Sequence, residues 1–232
     1  MLPFLLSAAV AAPFGNPART ADTALVAAQL GGAWQGSSLD TGCEGERCSS
    51  WAVASGGELR LDLRPHSAIG AWGSGSWTKE DLGGTGHIGW GPHGSAGLSL
   101  QWPREGVSPA LCAKGEIGRT VVSAGPEQDP RSESRSWTVS VASVAAFGEP
   151  EGGAVGWIGP TMVVAEHRAL DVNTEDVTIE LTRGVPFGVV AGGELVSAPL
   201  GQPWRRSGRM MAGVEVQAVH AWGASAWIGV SY

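Results

Sequence analysis

The chain has only two lysines (Lys79 and Lys114), one tyrosine, four phenylalanines and three cysteines among its 232 residues. Charged residues make up 16% of it, against about 25% in a soluble domain. That shortage does not suit a sheet with one whole face in water. The formal net charge is −7 and no basic run occurs, so the electrostatic footprint of a nucleic-acid binder is missing. No apolar stretch, the N-terminal run included, reaches the length a membrane-crossing helix needs. A helical membrane protein is therefore excluded.

Motifs that carry chemistry are missing as well. No G-x-S-x-G elbow is present, and "GSGSW" at 73–77 is a Gly/Ser strand segment with no helix after it. No glycine-rich loop opens a helix, so nucleotide binding has no support. The five histidines are scattered, and His87 and His93 around one turn do not by themselves converge on a metal. "DVNTED" places Asp171, Asn173 and Glu175 at alternate positions. It lacks the central glycine and the closing glutamate of a calcium loop, and reads as a solvated loop. The expectation is a protein that is not an enzyme and uses no cofactor or metal.

What is abundant is glycine, at 36 residues, and tryptophan, at 11. Tryptophan favours membrane interfaces, where its ring is half in oil and half in water. The rest of the chain alternates with a period of two, the signature of strands. Trp51, Val53, Leu59, Leu61 and Leu63 share one face, and Glu58, Arg60 and Asp62 share the other. Ala96, Leu98, Leu100 and Trp102 oppose Ser95, Ser99 and Gln101. Leu111, Ala113 and Ile117 oppose Lys114 and Glu116. Val177, Ile179 and Leu181 oppose Glu180, and Met210, Val214 and Val216 oppose Glu215 and Gln217. Each run has one oily and one wet face. Pro160 interrupts "AVGWIGPTMVV" and predicts a bulge or a sheet edge there.

Two architectures use such strands. A soluble exported β-barrel or β-sandwich turns the oily face inward and would bind an apolar ligand or a protein partner. A membrane barrel turns it outward to lipid. The wet faces carry few charges between Gly, Ala, Ser and Thr, which suits a narrow polar interior. The oily faces are rich in alanine. Lipid tails conform to such a surface, whereas a core must be filled at high density.

The chain closes on "ASAWIGVSY", in which Ala224, Ala226, Ile228, Val230 and Tyr232 share one face. This strand resembles the C-terminal signature of bacterial outer-membrane β-barrel proteins, which ends in an aromatic residue preceded by alternating apolar ones. The match covers the C-terminal strand, backed by alternation across the chain. The resemblance implies a closed antiparallel transmembrane barrel in the outer membrane of a Gram-negative bacterium. It implies lipid as surroundings and the barrel-assembly machinery as a partner. About 12 strands are predicted, with eight or ten as alternatives. Residues 36–50 are predicted as a long outer loop and Pro65-His66 as a short inner turn. Residues 125–133 and 198–206 fall on the inner side under that count, where turns are usually short.

At the N-terminus, Leu2 to Ala12 is apolar and too short to span a bilayer, and Ala9-Val10-Ala11 fits a signal-peptidase site. Residues 1–11 are predicted as a signal peptide and 12–232 as a single barrel domain, although the leader has no Lys or Arg. In an oxidising compartment Cys43 and Cys48 of "GCEGERC" are predicted to close a small disulfide loop, leaving Cys112 as a packing residue. Glu58, Arg60, Asp62, Lys114, Glu116, Glu180 and Glu215 are predicted to line the barrel interior. The expected role is structural or that of a narrow pore for small solutes.

Overall fold

A computed structural model describes residues 13–19, 26–43, 46–82, 88–102, 104–123, 132–149, 153–172, 177–180, 187–200, 208–219 and 221–232. The strands are β1 (Val26–Cys43), β2 (Glu46–His66), β3 (Ile69–Leu82), β4 (Ile88–Gln101), β5 (Val107–Ser123) and β6 (Ser132–Gly148). They continue with β7 (Gly153–Val172), β8 (Val177–Glu180), β9 (Phe187–Val196), β10 (Arg209–Val219) and β11 (Ala221–Ser231).

Every strand pairs antiparallel with its neighbours, and β11 returns to β1 from Ala27↔Ser231 to Ser37↔Ala221. The amide of Val26 donates to the carbonyl of Tyr232 and the amide of Tyr232 donates back to Val26, at 3.0 and 2.9 Å. The sheet is thereby closed into a barrel. β8 and β9 both lie on the same edge of β7 in one register, Ala169↔Glu180 and Met162↔Phe187. They are two pieces of one returning strand, so the barrel has ten strands.

The count differs from about twelve for a definite reason. "GHIGW" and "SAGLSLQW" belong to a single strand, β4, and "DVTIELT" and "FGVVAGGELV" to the β8–β9 strand. In β4 the would-be turn is Gly91-Pro92-His93, where the β4–β5 ladder skips between Trp90↔Val121 and His93↔Gly118. Within the loop predicted at 36–50, residues 36–43 and 46–50 are strand, and 44–45 lie outside the described residues. β1 and β2 continue as a ladder to Cys43↔Glu46. Pro160 lies within β7, paired toward β9, and the β6–β7 ladder skips the positions opposite it. A missing N–H is absorbed there by a local gap rather than at a sheet edge.

The end of the barrel that holds Val26 and Tyr232 is called here the near end. Its turns include the short one after His66. With ten strands, β5 ends and β6 begins at the far end, while β9 ends and β10 begins at the near end; most of the predicted loops 125–133 and 198–206 lies outside the described residues. At the far end β1 and β2, of 18 and 21 residues, run longer than the roughly 9–11 needed to cross a bilayer.

Alternation decides what each face meets. Leu30, Leu98 and Ile228 point outward and are 62%, 61% and 65% exposed. Their neighbours Gln29, Ser99 and Trp227 point inward and are buried. The exterior is a band of Leu, Ile and Val edged by aromatics. Trp77, Trp90 and Trp222 are exposed toward the far end, and Trp102, Phe147 and Tyr232 at the near end. Trp137 stacks on His167 at 6.2 Å. Among the described residues three tryptophans turn inward instead: Trp72, Trp157 and Trp227. Each faces a cross-strand glycine, Gly97, Gly192 and Gly213 respectively, and a Cβ there would overlap the indole. This close approach accounts for part of the glycine content.

Candidate functional site: the barrel lumen

The lumen is polar because the wet faces of most of the described strands point into it. Glu58, Arg60, Asp62 and Arg64 follow one another at alternate positions of β2, all buried. Lys114 enters from β5, Glu194 from β9, and Glu215 and Gln217 from β10. Lys114 Nζ donates to Gln217 Oε1 at 3.2 Å and lies 3.5 Å from Glu116 Oε2. Gln217 Nε2 donates to Glu215 Oε1 at 2.6 Å.

Into this cage the chain inserts its own residues 13–19, Pro13-Phe14-Gly15-Asn16-Pro17-Ala18-Arg19, all buried. They belong to none of the strands. Side chains of the wall hold the main chain of this segment. The amides of Phe14 and Gly15 donate to the two oxygens of Glu215 at 2.8 and 3.0 Å. Arg60 donates to the carbonyls of Pro13 and Phe14 at 2.6 and 2.9 Å, and to Asp62 at 3.0 Å. Arg64 donates to the carbonyls of Asn16 and Arg19 at 2.8 Å and of Pro17 at 3.0 Å. Charge-assisted bonds of this kind are about twice as strong as neutral ones.

The side chains of the segment are held too. Arg19 donates to Glu194 with both Nε and Nη2, and its Nη1 lies 3.2 Å from Asp62. Asn16 donates to Glu194 at 2.9 Å and accepts from the Ala18 amide at 2.8 Å, closing a tight Asx turn around Pro17. The indoles of Trp157 and Trp227 donate to Glu215 and Glu194 at 3.2 and 3.1 Å. Phe14 packs among Ala110, Cys112, Ala142, Val144 and Val190 under the ammonium of Lys114. Ala18 packs with Ala146, Val155, Trp157 and Trp227. Gly15 has φ +79°, and a Cβ there would strike the Arg60 guanidinium.

The structure places Glu58, Arg60, Asp62, Lys114 and Glu215 buried in the lumen, with Glu116 beside Lys114. The side chains of Glu180, Cys43 and Cys48 lie outside the described residues, as does the predicted leader 1–11. Cys112 is a free, buried thiol on the wall beside Phe14. Ala224, Ala226, Ile228 and Val230 face outward on β11, and Tyr232, just past its end, is exposed as well. Of the histidines, His66 is exposed and accepts from the Ala68 amide, while His87 and His220 lie outside the described residues. Among the described residues no three His, Cys, Asp or Glu side chains are grouped to hold a metal.

Sequence reading missed Arg64, the inward tryptophans and the whole of residues 13–19. Arg64 continues the alternation of Glu58, Arg60 and Asp62 and was readable from it. The segment has no periodicity to find, and its prolines, glycine and asparagine read as an ordinary loop.

No protein-family model matches the chain, and no curated protein matches its sequence. Among solved structures, the fold is similar to the translocator domain of the autotransporter NalP from Neisseria meningitidis. The TM-score is 0.51 at 10% identity, over 89% of this chain and 88% of that one. At that identity the likeness carries the closed antiparallel barrel and nothing finer.

Proposed function

We propose that this chain is a β-barrel of the outer membrane of a Gram-negative bacterium, and that its lumen is a narrow passage held closed by residues 13–19. The observation that carries this reading is the reversed polarity of the barrel. Leu59, Leu61 and Leu63 point out while Glu58, Arg60 and Asp62 point in. Leaving that apolar surface in water would be costly, and lipid removes the cost. In this reading the outward residues of β11, from Ala224 to Tyr232, serve the assembly machinery, and the far end with its long β1–β2 hairpin faces outside. The barrel is a structural element or a gated route for small solutes, without catalysis.

The test is folding and conduction. The purified chain should need detergent to stay dispersed and should give little conductance in a planar bilayer. The chain without residues 13–19 should conduct in steps. A full chain that stays folded and monomeric in detergent-free buffer would overturn the reading. It would favour a soluble exported barrel.

A further inference from the structure

Residues 13–19 make ligand-like contacts, and we infer that the lumen is a binding site for a short, turned peptide whose built-in occupant is this segment. The inference rests on the barrel reading above and adds what the lumen recognises. Three features of the geometry carry it.

First, recognition is mostly of main chain. Arg60 and Arg64 between them take five carbonyls, and Glu215 takes two amides. Such contacts accept any short chain that can take the same turned backbone and bring its carbonyls to the same places. Second, side-chain pockets set the class. An apolar pocket under Lys114 takes Phe14, and five residues on an acidic pocket between Glu194 and Asp62 takes Arg19. Between them Arg60 leaves room only for glycine after the aromatic residue. The ligand class is therefore a short peptide with an aromatic residue, a glycine next to it and a cationic residue near its end. Third, the segment is not part of the β ladder. It can leave without breaking a strand pairing, and leaves Glu194 and Glu215 short of donors when it does.

The experiment starts from the full chain, folded in detergent, with a protease site placed within residues 20–25 and cut only after folding. The probe is a fluorescent peptide of residues 13–19 with blocked ends, followed by anisotropy. The uncut barrel should exclude it and the cut barrel should bind it. Peptides carrying Gly15→Ala or Arg19→Ala should bind at least about tenfold more weakly. Glu194→Gln in the barrel should weaken the unaltered peptide and leave the Arg19→Ala peptide little changed. As a second route, the uncut chain with Gly15→Ala should open more often in a planar bilayer, and added peptide of residues 13–19 should close it again. A cut barrel that keeps its β circular dichroism yet binds no peptide, or binds all three alike, overturns the inference. So does a Gly15→Ala chain that gates like the parent. Neither result touches the membrane reading, which fails only if the chain folds without detergent.

Discussion

The carboxylate of Glu215, midway along β10, accepts the backbone amide of Phe14 at 2.8 Å across 201 residues of sequence. This contact ties the first described segment to the second-last strand and fills the centre of the lumen. A buried carboxylate is stable only with such donors around it. The plug and its wall therefore stabilise one another.

The ion pair of Arg19 with Glu194 can be measured by a double-mutant cycle. Breaking one side of a buried pair costs up to about 3–5 kcal/mol. Arg19→Met and Glu194→Gln should each destabilise the barrel toward urea in lipid vesicles. The double variant should lose clearly less than the sum of the two. Simple additivity would show that the two side chains act independently.

Lipid facing is tested by bulk and by charge. Ala226 and Leu98 point outward. Ala226→Phe and Leu98→Trp should be close to neutral in denaturant unfolding, since fluid lipid makes room. In a packed core the same changes would cost about 1–3 kcal/mol. Val216→Arg on the same surface should cost about 2–4 kcal/mol if it lies near the bilayer midplane.

Ion selectivity follows from the charges that remain when the plug is removed. Around the segment, Glu58, Asp62, Glu116, Glu194 and Glu215 outnumber Arg60, Arg64 and Lys114. The chain without residues 13–19 should therefore favour cations in reversal-potential measurements. Glu194→Gln with Glu215→Gln should reduce that preference. An anion-selective pore would contradict the assignment of these side chains to the conducting path.

Thiol chemistry tests the far hairpin. The proposed Cys43–Cys48 bridge leaves Cys112 as the single free thiol, so labelling in denaturant without reductant should modify one cysteine. Three modified cysteines would exclude the bridge. In the folded protein Cys112 should resist labelling, because it is buried against Phe14.

Export is checked by mass. Protein from the native envelope should begin at Ala12 if cleavage follows Ala11. That would leave the plug, from Pro13, right behind the new N-terminus. An intact Met1 start would exclude the leader.

Alternation alone settled which residues share a face, and closure of the barrel decided which face is inward. A strand turns successive side chains to opposite sides whatever its partners. The grouping of Leu59 with Leu61, and of Glu58 with Arg60 and Asp62 on the opposite face, was therefore legible in one dimension. The scarcity of charge was the sequence's argument for lipid over water at the oily face. The strand number was not legible. Pro92 in β4 looks like a turn, yet the ladders with β3 and β5 on either side carry the strand past it. Nor was the site, since nothing local in Pro13–Phe14–Gly15–Asn16–Pro17–Ala18–Arg19 says where it goes. Its place is decided by carbonyls that match two arginines of β2 and amides that match a carboxylate of β10. Those partners meet only once ten strands have closed, because a cavity with charges on opposite walls exists in the tertiary fold and in no segment of the chain.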